Sequence, residues 1–107
     1  MSQKEELQQI SFSIILHAGN ARSLSMEAIE LAKEKKFDEA VQKVEAASQE
    51  FSEAHRYQSE LLQKESDDDG QDISVILIHA QDHLMSSMVV RDMANVIIEL
   101  YREIKGE

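Results

Sequence analysis

Apolar residues recur along the first third of the chain at alternating steps of three and four: Leu7, Ile10, Ile14, His17, Ala21, Leu24, Ala28 and Leu31. This spacing keeps every member on one side of a helix with about 3.6 residues per turn. Ser2 followed by Glu5 predicts the start of that helix, because serine and glutamate at this separation form a capping box. At the other end, Lys33, Lys35 and Lys36 suit the negative pole of a helix C-terminus, and Asp38 and Glu39 suit the positive pole of the next N-terminus. No glycine or proline marks the turn, so the reversal of charge is the boundary signal. A second seam then runs Ala40, Val44, Ala47, Phe51, Ala54, Gln58, Leu61 and ends in the acidic stretch SDDDGQD, residues 66–72. Asp67, Asp68, Asp69 and Gly70 lack the alternating ligands and closing glutamate of a calcium loop, so they read as a solvated turn.

The third pattern runs from about Ser74 to Ile104 without a breaker and is apolar on nearly every side. Val75 to Ile78, Ala80, Leu84, Met85, Met88 to Val90, Met93, Val96 to Ile98 and Leu100 surround its axis. A helix of that kind is buried on nearly every side. Two sister helices cover only part of it, so the pattern predicts a homo-oligomer. One continuous line runs Val75, His79, Asp82, Ser86, Val90, Met93, Ile97, Tyr101, with a polar interruption from 79 to 86. The expected fold is all-α: three long antiparallel helices of about 30 residues in one domain, 1–107.

Composition narrows the class. The 107 residues include no proline, tryptophan or cysteine and only three glycines, too few turn formers for an all-β or βαβ chain. Without cysteine there are no disulfides or thiolate metal sites, which fits a reducing cytoplasm. The N-terminal MSQKEELQQI is too polar for a signal peptide, and no apolar run reaches membrane-spanning length. Twenty-one acidic residues against eleven basic give a net charge of −10. That balance disfavours nucleic acid and suits a positively charged protein partner.

The chemistry concentrates in HAQDHLM, residues 79–85. No lysine or arginine lies within a turn of Asp82 on its own helix. If identical helices meet there, several carboxylates converge and either bind a hard cation or raise a carboxylate pKa; the alternative is a hydrated carboxylate in a solvent groove. His79 and His83 share a face with Asp82. Three chemistries use such a pair: a metal site, general acid–base catalysis, and covalent catalysis with an imidazole attacking phosphorus. The zinc-protease motif needs glutamate after its first histidine, and Ala80 stands there. Packed core histidines are the bland alternative, and spacing leaves the choice open.

Other positions carry smaller expectations. His17 reads as a satisfied interhelical histidine; Arg22 and Arg91 could pair with acidic residues or receive a phosphoryl oxygen, and surface pairing is the default. His55 and Gln58 either line the same groove as His79 or hydrogen-bond within the bundle. Gly19 in mid-helix costs about 1 kcal/mol relative to alanine and suggests a close helix approach or access for a partner; the bland alternative is simple tolerance of one glycine in a long helix. Ile78, Leu84, Met85 and Met88 could form an apolar collar that excludes water or docks a partner, with Met88 and Met93 reading more simply as bundle core.

ILIHAQDHLMSSMVVRDMANVIIELY resembles the active-site helix of the lactose/cellobiose-class enzyme IIA proteins of the bacterial phosphoenolpyruvate-dependent sugar phosphotransferase system. Ala18 to Ser23 is similar to the small-residue segment of that family's first helix, and Glu53, Ala54, His55 and Gln58 to its second-helix motif. The resemblance covers roughly residues 7–104. It implies that His79 is the phosphorylated residue, accepting from the histidine-containing phosphocarrier protein and donating to a cysteine of enzyme IIB. It also implies a cytoplasmic homotrimer with the third helices innermost, and one divalent metal ion, Mg in expectation, shared by Asp82 of the subunits. Gln81 and His83 are expected to support the phosphoryl group. Two other readings are a regulatory or structural bundle without turnover and, disfavoured by its missing base and ligands, a metal-dependent hydrolase.

Overall fold

In the computed structural model, residues 2–67 and 75–104 are described, and they form three helices. These are α1 (Gln3–Lys33), α2 (Phe37–Asp67) and α3 (Val75–Ile104). At the start of α1 the Ser2 hydroxyl accepts from the Glu5 backbone N–H at 3.2 Å and donates to the Glu5 carboxylate at 3.2 Å. The capping pair read from the sequence is therefore formed. The acidic stretch expected to make the second turn lies outside the described residues from 68 onward.

The turn between α1 and α2 solves its problem without glycine. Lys36 N–H reaches back to Leu31 C=O at 2.9 Å and Lys35 N–H to Ala32 C=O at 3.0 Å, the paired bonds of a Schellman motif. Such a motif needs a left-handed residue, and Lys35 supplies it at φ 65°. A side chain in that conformation costs about 1–2 kcal/mol. Lys35→Gly should therefore raise the unfolding free energy by about 1 kcal/mol with unchanged helix content, which urea titration followed by circular dichroism would register.

Cross-helix pairs set the directions. Lys64 meets Glu6 at 2.9 Å and Lys43 meets Glu27 at 3.0 Å, so α1 and α2 are antiparallel. Gln58 meets Gln81 at 2.8 Å and Ser48 meets Arg91 at 3.3 Å, so α2 and α3 are antiparallel too. Helices α1 and α3 consequently run the same way. The bundle measures 57 × 18 × 18 Å, about one helix long and two helices across.

The first two seams face the core as the spacing predicts. Ile10, Ile14, Ala21 and Ala28 are buried on α1, and Ala40, Val44, Ala47, Phe51, Ala54 and Leu61 on α2. Alanine fills much of the centre, and small side chains let helices approach closely.

Helix α3 turns a different set of residues toward its own chain. Its inward face is Ala80, Leu84, Ser87, Ala94 and Ile98, all buried. The line from Val75 through His79 and Asp82 lies instead outside the core of the chain: Val75, His79, Asp82, Ser86 and Met93 are exposed, and Val90, Ile97 and Tyr101 half-buried. Opposite the core runs a second apolar strip: Val75, Ile78, Met85, Val89, Met93, Val96, Leu100 and Ile104, between 43% and 84% exposed. Its steps are three and four throughout once Asp82 fills the place between Ile78 and Met85. Met93 belongs to this strip rather than to the bundle core, whereas Met88 does pack against the core. The collar is divided likewise, with Leu84 fully buried while Ile78 and Met85 face outward. So α3 is apolar all round because it has two apolar faces, one used within the chain and one left open.

Candidate functional site

His79 is exposed, little more than one turn into α3, beside the outer apolar strip. One turn further on, the ring of His83 stacks on it, with centroids 5.8 Å apart and planes at 20°. His83 is half-buried and reaches toward α1, where its Nε2 lies 3.5 Å from the position a Cβ would take on Gly19. The pair is thus set at the α1 edge of α3, with His83 braced against α1 and His79 open. Neither is a core histidine.

Asp82 is exposed and interrupts the outer strip. Among the described residues no group of three or more histidine, cysteine or carboxylate side chains is placed to hold a metal within one chain. One carboxylate is too few ligands for a hard cation, but several copies meeting along the strip would bring together oxygen donors of the type that magnesium and calcium prefer. The donor set therefore fits a shared divalent ion and does not fit a site built by a single chain.

Gln81 does not join His79. Two residues along a helix is a rotation of about 200°, which turns Gln81 toward α2. There its Oε1 accepts from Gln58 Nε2 at 2.8 Å, and Gln58 Oε1 lies 3.2 Å from Nδ1 of His55. The supporting role expected for Gln81 is not met within one chain; its side chain ties α3 to α2. His55 and Gln58 hydrogen-bond within the chain, on the α2 side, and neither contacts His79 of the same chain.

His17 is satisfied between helices, as its place on the seam suggests. Its Nδ1 lies 3.1 Å from Glu50 Oε1, and its ring stacks on Tyr57 at 5.8 Å. Asn20 donates to the same carboxylate oxygen at 2.8 Å. The Asn20 hydrogen bond, with a smaller contribution from His17, holds the Glu50 carboxyl below the usual glutamate range. Because His17 faces α2 and Gly19 faces His83, this cluster is on the far side of α1 from His79. Arg91 is also committed, to Asp92 at 3.0 Å and Ser48 at 3.3 Å, with its guanidinium 5.0 Å over the Phe51 ring. Arg22 is exposed and forms no ion pair among the described residues.

An imidazole open to solvent can act as a nucleophile, and a second imidazole stacked on it can orient a group bound there. Comparison with known proteins is specific. The model of the family "PTS system, Lactose/Cellobiose specific IIA subunit" matches residues 9–102. The lichenan-specific phosphotransferase enzyme IIA component of Bacillus subtilis is 51% identical over 94% of this chain and 91% of its own length. The N,N'-diacetylchitobiose-specific EIIA component of Escherichia coli is 34% identical over 98% and 90%. Among solved structures, the cellobiose-specific enzyme IIA of Bacillus anthracis superposes with a TM-score of 0.90 at 42% identity, covering 100% of this chain and 95% of that one. The Escherichia coli IIA(Chitobiose) in its complex with HPr superposes at 0.80, with 33% identity, over 92% and 96%. This chain belongs to the lactose/cellobiose-specific IIA family of the phosphotransferase system. No helix among the described residues is long and apolar enough to cross a membrane.

Proposed function

We propose that this IIA subunit carries its phosphoryl group on His79, taking it from the histidine-containing phosphocarrier protein (HPr) and passing it to a cysteine of enzyme IIB during uptake of a β-linked disaccharide. The observation that carries this reading is the open His79 imidazole stacked on His83, in a family with a member solved in complex with HPr. A neutral His79 nitrogen attacks phosphorus in line as the phosphorus–nitrogen bond to the donor histidine breaks; the donor imidazole leaves with that electron pair and becomes neutral by taking up the proton that His79 gives up. In the second step the IIB thiolate attacks, and His79 leaves as neutral imidazole once a proton returns to it. An N–H of His83, whose ring stacks on His79, can donate to the oxygens in flight. His79 is open to water in the single chain, so exclusion of water falls to a neighbouring copy or to the docked partner. Donor, acceptor and the reduced thiol of IIB place this exchange in the cytoplasm.

The same reading includes a homotrimer built on the outer strip of α3, with Asp82 of each copy supplying oxygen to one shared divalent ion. What supports it is the exposed apolar strip and the place of Asp82 within it. Stripping metal with EDTA should lower the thermal midpoint of the assembly and shift it toward smaller species in sedimentation, and added magnesium should restore both. Asp82→Asn chains should show no response to either treatment. A wild-type assembly indifferent to chelation would remove the metal from the account.

The test of the carrier role is direct. The protein is incubated with phosphoenolpyruvate, enzyme I and HPr, and its intact mass is read at alkaline pH, where phosphohistidine survives. One phosphoryl group per chain is expected, discharged on adding IIB. No added mass, with the upstream proteins shown active, would leave a regulatory or structural bundle.

A further inference from the structure

Gly19 sits in the middle of an unbroken 31-residue helix, where glycine is a poor choice. Its backbone is helical, so no unusual dihedral requires it. Nor does a close approach of two helix backbones. A Cβ built on Gly19 would meet, beyond its chain neighbours and its own helix backbone, a single heavy atom within 4 Å: Nε2 of His83, at 3.5 Å. That is ordinary van der Waals contact, so a methyl group fits. What glycine secures is the space over one nitrogen of the second histidine.

We infer that Gly19 is a positioning residue for phosphoryl transfer: its missing side chain leaves Nε2 of His83 uncovered and lets that ring lie against His79. This rests on the carrier role proposed for His79. The position of His83 is set by shape. Among the described residues neither ring nitrogen of His83 has a hydrogen-bond partner, so the ring is held by the α1 surface at Gly19 on one side and by the His79 ring on the other. An alanine methyl would touch Nε2. A leucine would extend across it, either capping the nitrogen or driving the ring away from His79. A displacement of about 1 Å in a group that orients a reacting centre costs up to about a hundredfold in rate.

The experiment compares Gly19→Ala and Gly19→Leu with the wild-type chain by three readouts: thermal midpoint, the nuclear Overhauser contact between the His79 and His83 rings, and the initial rate of phosphoryl uptake from HPr. Both residues favour helix over glycine, so both variants should melt higher, by about 4 °C for alanine. Uptake should slow in the same variants, by a small factor for alanine and by about tenfold or more for leucine, and leucine should also lose the ring contact. Gly19→Leu added to a His83→Ala chain should slow uptake no further, because the effect runs through His83. A lower melting point for Gly19→Ala would assign the glycine to helix packing and overturn the inference. So would a leucine variant with wild-type rate and ring contact, or slowing that persists without His83. If the wild-type chain itself takes up no phosphoryl group, the carrier reading fails instead, and the ring contact in Gly19→Leu still decides whether Gly19 positions His83.

Discussion

A chain carrying His79→Ala should take up no phosphoryl group from HPr, however long the incubation, while its helix content and thermal midpoint should stay near those of the wild type. The stability half follows from exposure: His79 has no hydrogen-bond partner among the described residues and contributes no buried surface to the core, and such surface substitutions stay within about 0.5 kcal/mol. The transfer half follows from chemistry. Of the four histidines, His17 is bound to Glu50 and stacked on Tyr57, and His55 shares its Nδ1 with Gln58 on α2. His83 is half-buried behind the ring of His79. Only His79 combines an open nitrogen with a neighbouring imidazole. His79→Gln should be equally inactive, since an amide keeps the polarity and loses the nucleophilic lone pair. His83→Ala should be slow rather than dead, by about ten- to a hundredfold, because it removes an orienting group and leaves the acceptor. His55→Ala should transfer normally. Intact mass and an initial-rate measurement on the four variants settle the assignment, and phosphoryl uptake by His79→Ala would refute it.

How far the sequence could be read depended on whether each residue had one physical role or two. Helices α1 and α2 bury one face each, so Ile10, Ile14, Ala21, Val44 and Phe51 announce themselves by spacing. Helix α3 has two apolar faces. Periodicity identifies both and cannot tell which turns inward. Part of the distinguishing signal lay in size: the inner face sets small Ala80, Ser87 and Ala94 beside Leu84 and Ile98, while the apolar residues of the outer strip are all large. The line through His79 and Asp82, along which meeting copies would bring the carboxylates together, lies on the open side of α3, outside the core of the single chain. Gln81 shows the same limit within the site. It is adjacent in sequence to Ala80 and Asp82, yet a separation of two turns it away from His79 and onto Gln58. The charge of Lys35 helped to mark the helix end, but its left-handed backbone left no mark in composition. Gly19 was visible as an anomaly in a long helix, but only the nearby nitrogen of His83 gives the anomaly a meaning.

Charging the outer strip should separate the copies while leaving each chain folded. Val89, 60% exposed, lies near the middle of the strip. Full burial of a valine, leucine or methionine side chain stabilises by about 1.5–3 kcal/mol, so the remaining exposure of the eight strip residues is worth on the order of 1 kcal/mol each on assembly. An unpaired carboxylate in the same place costs several kcal/mol for every copy that buries it, and like charges from neighbouring copies add to that. Val89→Asp thus offsets much of the gain from the whole strip, and the balance passes to the monomer. Because Ala80, Leu84, Ala94 and Ile98 on the opposite face are untouched, helix content should persist. Sedimentation should show an oligomer for the wild type, a single-chain mass for Val89→Asp, and an unchanged oligomer for Ser59→Asp, which adds the same charge to an exposed position on α2. Phosphoryl uptake by the Val89→Asp monomer then reports what the neighbour contributes to His79. A slow monomer means that the adjacent copy completes the site at the α1 edge of α3. A monomer as fast as the assembly means that one chain holds all the machinery and that the strip serves stability alone. An oligomer that survives Val89→Asp would place the interface elsewhere on the chain.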